Sequence, residues 1–195
     1  MKKSLSDLNQ KMVKCIQCPL SDSRTKVVTG RGSVPCDVLF VGEAPGRDED
    51  EQGLPFVGAS GKQLDKLLIE AGFGDVSYYI TNVVKCRPID AEGKNRVPSM
   101  YEINVCSGAW LIQQIKLLKP KIIVPLGRAP TAFFLQRYQG IPMEVDLVRM
   151  GDQHGKPFEI EGIQIIPTYH PASTLYHQAN AAILLDDLKK VKEFV

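Results

Sequence analysis

The sequence contains 195 residues, of which 44% are hydrophobic and 24% are charged, and its formal net charge is +2. This length suits one domain with one sizeable core, and the composition is ordinary for a globular protein. So small a net charge neither requires nor excludes a nucleic-acid partner, and no apolar run approaches the roughly 18 residues of a membrane span. The first residues, MKKSLSDLNQKMVK, include lysines but no apolar signal-peptide segment, so we expect a cytoplasmic protein with no membrane partner.

Taken in chain order, four short apolar runs alternate with segments of helical spacing. The runs, rich in β-branched residues, cover residues 37–41, 78–84, 121–125 and 162–168. Helical spacing covers residues 61–71, 100–118, 129–135 and 180–194, and residues 138–157 read as a loop or a small hairpin. This βαβ alternation predicts an α/β fold with a largely parallel sheet and helices on both faces. We expect one domain over residues 1–195, with residues 1–35 as an N-terminal arm.

The cysteines are candidate metal ligands. Cys15 and Cys18 form a C-x2-C pair on the arm, Cys86 follows the second apolar run, and Cys106 lies in the helical segment 100–118. An odd number of cysteines without an export signal argues against a disulfide framework, so these four could form one thiolate site that holds the arm to the body. The alternative is that no metal binds: Cys15 and Cys18 would be an incidental pair, and Cys86 and Cys106 would be small buried core side chains. We expect Cys36 to be such a core side chain. The wide split of the second pair fits an iron–sulfur cluster better than zinc, but spacing alone leaves both metals open.

Polar side chains stand at the carboxyl ends of three of the predicted strands. Glu43 follows the first run, Asn82 lies near the end of the second, and His170 follows the last. Each could be an ordinary hydrogen-bonded structural residue. Because ligands of open parallel sheets bind beyond the carboxyl ends of the strands, their recurrence predicts one pocket with a carboxylate, an amide and an imidazole.

An aromatic residue and a group of basic residues extend this prediction towards nucleic acid. Phe56 lies between Gly53 and Gly58, which would let the backbone approach a planar ligand. An aromatic face beside an amide is the way a flipped base is held. Four basic residues around Cys86 and in the following loop could meet phosphates or could simply be solvated: Lys85, Arg87, Lys94 and Arg96.

Together these motifs resemble the uracil-DNA glycosylase superfamily, specifically its family 4, the iron–sulfur branch. The matching segments run in order through nearly the whole chain: CIQCPL at 15–20, VGEAPGRDEDEQGLPFVGASGKQLDKLL at 41–68, YITNVVKCRP at 79–88, NRVPSMYEINVC at 95–106, LKPKIIVPLGRAPTAFF at 118–134 and TYHPASTL at 168–175. The resemblance implies a three-layer α/β/α sandwich around a central four-stranded parallel sheet. It also implies hydrolysis of the N-glycosidic bond of uracil in single- and double-stranded DNA, carried out by a protein that we expect to be a monomer.

The resemblance further implies roles for individual residues. Phe56 would stack on the extruded uracil, Asn82 would read its polar edge, and His170 would donate a hydrogen bond to uracil O2. Further active-site positions match Glu43, Glu49 and Asn95, and Gly42 and Ala44 would lie against the base. Leu175 is the expected wedge that fills the vacated base stack. A [4Fe–4S] cluster would be bound by Cys15, Cys18, Cys86 and Cys106.

The sequence departs from the superfamily at the position of the water. Its best-known branch has a water-activating Asp where this chain has Ala44, so either Glu43 or Glu49 acts on the water or the reaction is largely dissociative. The loop between Cys86 and Asn95 is also longer than usual. An alternative function is a module that binds damaged or abasic DNA with little turnover. A nucleotide-binding protein is disfavoured, because no G-x-G-x-x-G or Walker sequence follows the first strand.

Overall fold

The computed structural model describes residues 4–140 and 144–195. In these two ranges six strands form one sheet in the order β1-β3-β2-β4-β6-β5. The strands are β1 (Arg31–Gly32), β2 (Val38–Gly42), β3 (Tyr78–Asn82), β4 (Ile122–Pro125), β5 (Phe158–Ile160) and β6 (Ile163–Ile165). The four central strands β3, β2, β4 and β6 are mutually parallel, as predicted, whereas the edge strands β1 and β5 are antiparallel to their neighbours.

Helices cover both faces of this sheet. They are α1 (Leu5–Met12), α2 (Leu20–Ser23), α3 (Arg47–Gln52), α4 (Ala59–Glu70), α5 (Met100–Cys106), α6 (Ile112–Leu118), α7 (Arg128–Gln139), α8 (Met150–Gln153), α9 (Ser173–Tyr176) and α10 (Ala179–Glu193). Single turns of 3-10 helix lie at Phe73–Asp75 and Val145–Leu147, and a π turn, Ser107–Leu111, joins α5 to α6. Across the described part of the chain, no helix is both long and apolar enough to span a membrane.

The alternation of side chains along β2 shows how the three layers are built. Val38 and Phe40 belong to a core cluster with the apolar faces of α4 and α10. Leu39 and Val41 point the other way, into a cluster with side chains of α1, α5 and α6. Because successive strand side chains alternate between faces, a continuous apolar run produces a strand buried on both sides. The predicted three-layer α/β/α fold is confirmed.

The loop or small hairpin predicted for residues 138–157 needs correction. Within the described ranges, β5 and β6 form an antiparallel hairpin further along the chain. Of the predicted loop, residues 141–143 lie outside the described ranges, and the remainder contains α8 and a 3-10 turn. The acidic stretch after β2 forms the start of α3, and Asp48, Glu49 and Asp50 occupy its first turn, where the helix dipole favours negative charge.

Candidate active site

The carboxyl ends of β2 and β3 open into a cavity of about 300 Å³. Its lining includes nearly all the residues predicted to act on a base: Glu43, Ala44, Glu49, Phe56, Asn82, Asn95 and His170. The three polar residues at strand ends therefore share one pocket, as the edge of a parallel sheet requires. A second cavity of about 530 Å³ lies on the other side of Glu43 and His170, so these two side chains stand between the two spaces.

Gly42 lets the side chains of Asn82 and Phe56 come close to the end of the sheet. It pairs with Asn82 in the register of β2 and β3, and Asn82 is only 2% exposed. A Cβ atom at position 42 would collide with Asn82 Oδ1 and lie 2.7 Å from Phe56 Cζ. Gly42 is therefore needed for the amide and the aromatic ring to occupy the same end of the pocket.

The Phe56 ring forms a wall of the pocket on a strained backbone. Phe56 has φ +53, in the left-handed region that costs a non-glycine residue on the order of 1 kcal/mol or more. Arg31 compensates from the side: its Nε donates to Pro55 O at 3.0 Å and its Nη2 to Asp65 at 2.8 Å. The ring centroids of Phe56 and His170 lie 5.8 Å apart, so a planar ligand on Phe56 would meet the imidazole.

His170 is held as a neutral hydrogen-bond donor. The backbone N–H of Ala172 donates to His170 Nδ1 at 3.1 Å, which makes Nδ1 an acceptor and leaves the proton of the neutral ring on Nε2. Burial lowers the pKa of His170 to about 4, and the nearby charge of Glu49 opposes that shift only in part. Near neutral pH the imidazole therefore presents Nε2–H to the pocket without carrying a charge.

The two candidate carboxylates have different environments. Glu49 accepts three backbone N–H bonds, from Gly46 at 3.1 Å, Val57 at 3.0 Å and Gly58 at 2.9 Å. It therefore caps α3 and fixes the loop that carries Phe56. The Glu43 carboxylate accepts no hydrogen bond within the described residues; burial raises its pKa, and the positive charge of Arg128 opposes the shift.

The long loop after Cys86 is ordered by its own side chains. Arg87 Nε donates to Asn95 Oδ1 at 2.6 Å and Arg87 Nη2 to Gly93 O at 3.1 Å, which places Asn95 on the pocket rim. Arg96 forms a bidentate ion pair with Glu102 at 2.8 and 2.7 Å. The suggestion that Lys85 meets phosphates is wrong, because its side chain is buried and its residue is only 1% exposed.

Leu175, the predicted wedge, is not part of the pocket lining. It lies on the short helix α9, which begins three residues after His170, and it is 49% exposed. Leu175 is thus a large, exposed apolar side chain five residues after His170, a type of side chain that can enter a base stack.

The four predicted cysteine ligands also come together. Cys15, Cys18, Cys86 and Cys106 line one small cleft between the arm, the end of β3 and the π turn. Three of the sulfurs accept N–H donors: Cys15 from Trp110 Nε1 at 3.3 Å, Cys86 from Arg24 Nη1 at 3.5 Å and Cys106 from the backbone of Lys85 at 3.3 Å. Such donors stabilise the thiolates of a metal centre.

Charge and spacing test this centre further. Lys85 lies beside the cleft; burial lowers its pKa, and negative charge on Cys106 and Cys86, which thiolates of a metal centre would carry, opposes that shift and favours the ammonium form. Within residues 4–140 and 144–195, no group of three or more His, Cys, Asp or Glu side chains is close enough to hold one metal ion. Four thiols are a donor set that either a zinc ion or an iron–sulfur cluster accepts.

A parallel α/β/α sandwich with a base-sized pocket at the strand ends defines the class of protein, and the comparison with known families agrees. The chain belongs to the uracil DNA glycosylase superfamily, whose family model matches residues 29–194. This confirms the family that the motifs predicted.

Individual relatives cover nearly the whole chain. It is similar to the protein named type-4 uracil-DNA glycosylase of Sulfurisphaera tokodaii, with 40% identity over 191 residues, which covers 97% of this chain and 84% of that protein. The protein of the same name from Thermotoga maritima is 39% identical, with 96% and 93% covered. That of Archaeoglobus fulgidus is 37% identical, with 97% and 92% covered.

Two residues that shape the site were missed in the sequence. Arg128 begins α7, three residues after the last residue of β4, and its charge acts on Glu43. The rule that ligands bind beyond the carboxyl ends of strands, applied to the apolar run at residues 121–125, would have found it. Arg31 had no such signal, because its partners at Pro55 and Asp65 are 24 and 34 residues away in sequence.

Proposed function

We propose that this chain is a monofunctional uracil-DNA glycosylase, which hydrolyses the N-glycosidic bond of uracil in single- and double-stranded DNA and so starts base excision repair. The observation that carries the proposal is the meeting of Phe56, Asn82 and the Nε2–H of a neutral His170 in one pocket. The printed names of the relatives support the same activity.

Base recognition would use one face and one edge. The extruded uracil would stack on Phe56, and the Asn82 amide would donate to O4 and accept from N3–H. Cytosine presents a donor at C4 and an acceptor at N3, so it would leave both amide groups facing like partners in a buried site. This mismatch is the physical basis that we propose for rejecting cytosine.

Bond cleavage would depend on charge that appears only in the transition state. As the N-glycosidic bond breaks, its electron pair moves to the uracil ring and the sugar becomes an oxocarbenium-like cation. His170 Nε2–H would donate to O2 as negative charge develops there, and it costs no reorganisation because the Ala172 N–H already fixes the ring. We assign His170 to the stabilisation of the leaving base.

Glu43 is the better candidate for the water, and Glu49 for support. The Glu43 carboxylate is partly buried and its oxygens are not occupied by backbone donors, so it can accept a proton from water as the oxygen joins the sugar. Glu49 already accepts three N–H bonds, so we infer that it positions Phe56. Asn95 and Ala44 would complete the wall around the extruded base. Leu175 would fill the gap that the base leaves in the DNA stack.

We further propose that Cys15, Cys18, Cys86 and Cys106 hold a [4Fe–4S] cluster. When bound, the cluster would supply a structural cross-link between the N-terminal arm and the chain after β3. In support of an arm within a single domain, Met12 and Leu20 pack into the same core cluster as Val84 and Ile103. Free cysteines suit a reducing compartment such as the cytoplasm. The monomeric state stays a prediction, which light scattering on the purified protein would check.

The experiment is release of free uracil from single- and double-stranded uracil-DNA without added metal or nucleotide. We expect release from both, and we expect Asn82→Ala and His170→Ala to lower the single-turnover rate by about 10²–10³. The matched control is His177→Ala, which changes an exposed histidine beyond α9. A different result would identify a module that binds damaged DNA: the iron-loaded wild-type protein releases no uracil, but it binds uracil-DNA and the two variants weaken that binding.

A further inference from the structure

Lys85 is a buried lysine whose side chain is fully used. Its Nζ donates to Thr81 Oγ1, to the backbone carbonyl of Asn82 and to Gln114 Oε1, each at 2.6 Å. An ammonium group has three N–H bonds and no acceptor, so three oxygen partners satisfy it completely. A charge this deeply buried is retained only where its hydrogen bonds are met.

The carbonyl that Lys85 holds lies at the point where the sheet runs out. Strand β1 pairs with β3 only at Tyr79 and Ile80, so on that side of β3 no strand of the described residues reaches Asn82. Lys85 supplies the donor that a further strand residue would have supplied. The backbone of Asn82 is therefore held by β2 on one side, through its pairing with Gly42, and by the Lys85 side chain on the other.

The same lysine also reaches the cysteine centre. Its backbone N–H donates to Cys106 Sγ at 3.3 Å, and its neighbour in sequence is Cys86. Gln114, which accepts from the Lys85 ammonium, lies on α6 beyond the π turn that follows Cys106, and its Nε2 donates to Thr29 O at 2.6 Å. One short path of hydrogen bonds thus joins the cysteine cleft to the end of β3.

We propose that Lys85 is a positioning residue for base recognition, which fixes Asn82 through its backbone carbonyl and ties that position to the cysteine centre. The proposal rests on the proposed uracil-DNA glycosylase function. It assigns no chemical step to Lys85, which does not line the base pocket. Its consequence is that loss of the ammonium reduces discrimination between bases more than it reduces binding of DNA.

The test compares Lys85→Met with wild type in affinity for three otherwise identical duplexes. One carries 2′-fluoro-2′-deoxyuridine, whose glycosidic bond resists hydrolysis, one carries the corresponding cytidine, and one carries a tetrahydrofuran abasic analogue. We expect the preference for uracil over cytosine to fall about tenfold, the effect of one misplaced buried hydrogen bond. Affinity for the abasic duplex, which has no base to read, should stay within about twofold, with unchanged iron content. Lys66→Met, an exposed lysine on α4, is the matched control.

Several results would overturn the proposal. An iron-loaded Lys85→Met protein with unchanged preference would refute it, and so would an equal loss of affinity for all three duplexes, which indicates general damage. If Lys85→Met does not fold, Thr81→Val is the second variant, since it removes one acceptor of the Lys85 ammonium with little change of side-chain shape. It should lower the preference for uracil over cytosine several-fold, and an unchanged preference would refute the proposal. If the wild-type protein shows no preference for uracil, the proposed function itself is refuted. If the wild-type protein prefers uracil and Lys85→Met has the same preference, only the role of Lys85 is refuted.

Discussion

Replacing each candidate carboxylate by its amide separates their roles. In Glu49→Gln the side chain keeps one oxygen for Val57 and Gly58, but its new NH2 group faces the N–H of Gly46, so at least one hydrogen bond to a charged acceptor is lost. Such bonds contribute roughly 1.5–3 kcal/mol each. At about 2–4 °C per kcal/mol for a chain of this size, the melting midpoint should fall by about 3–12 °C.

Glu43→Gln should give the opposite result. No hydrogen bond of the Glu43 carboxylate is lost within the described residues, and a buried charge is removed, so the midpoint should change by no more than about 2 °C. If Glu43 accepts the proton of the attacking water, the single-turnover rate should fall about 10²-fold or more. Glu49→Gln should slow the reaction less than Glu43→Gln, because it acts only by making the position of Phe56 less fixed.

The assay pairs thermal unfolding with single-turnover uracil release, on proteins of equal iron content. Unfolding of a cluster protein need not be reversible, so midpoints are compared at one scan rate. Glu70→Gln, an exposed glutamate at the end of α4, controls for loss of charge. The assignment is refuted if Glu43→Gln keeps the wild-type rate while Glu49→Gln loses it at unchanged stability.

Further expectations concern pH, the wedge and the metal. Glu43 must be ionised to act on the water, and burial raises its pKa, so kcat/KM should fall on the acid side at a pH above 4.5. This fall should come before the protonation of His170, whose pKa is about 4. Glu43→Gln should remove the acid-side fall, and its persistence in that variant would exclude Glu43 as the group that titrates. Leu175→Ala should slow uracil release from double-stranded DNA more than from single strands, because only the duplex has a stack to refill; equal losses would argue against a wedge. Purified protein should contain about four iron atoms and four sulfides per chain, and active protein with one zinc would contradict the cluster.

The parts of the site that could be predicted are those that short stretches of sequence determine. Continuous β-branched runs produced the central strands, and polar residues at their carboxyl ends had to meet at one edge of the sheet. Glu43, Asn82 and His170 were found in this way, before any contact was known. The C-x2-C pair likewise indicated a shared cleft that the structure has.

The parts that could not be predicted depend on contacts between distant residues. Asp50, in the acidic first turn of α3, is only 3% exposed, and its two carboxylate oxygens accept the backbone N–H of Thr25 at 2.9 and 3.0 Å. Lys85 was interpreted as either a phosphate contact or a solvated side chain, but it is buried, and its acceptors include Gln114, 29 residues away. Periodicity reports which face of an element is apolar, but it does not report which buried polar group has found a partner.

The most direct test of the central claim follows the fate of oxygen in 18O-labelled water. A uracil-containing oligonucleotide treated with the iron-loaded protein should give unlabelled free uracil and an intact strand with one 18O atom at C1′ of the abasic sugar, as hydrolysis of the N-glycosidic bond requires. Strand cleavage coupled to base release, label in the released base, or no release of uracil at all would contradict a monofunctional glycosylase.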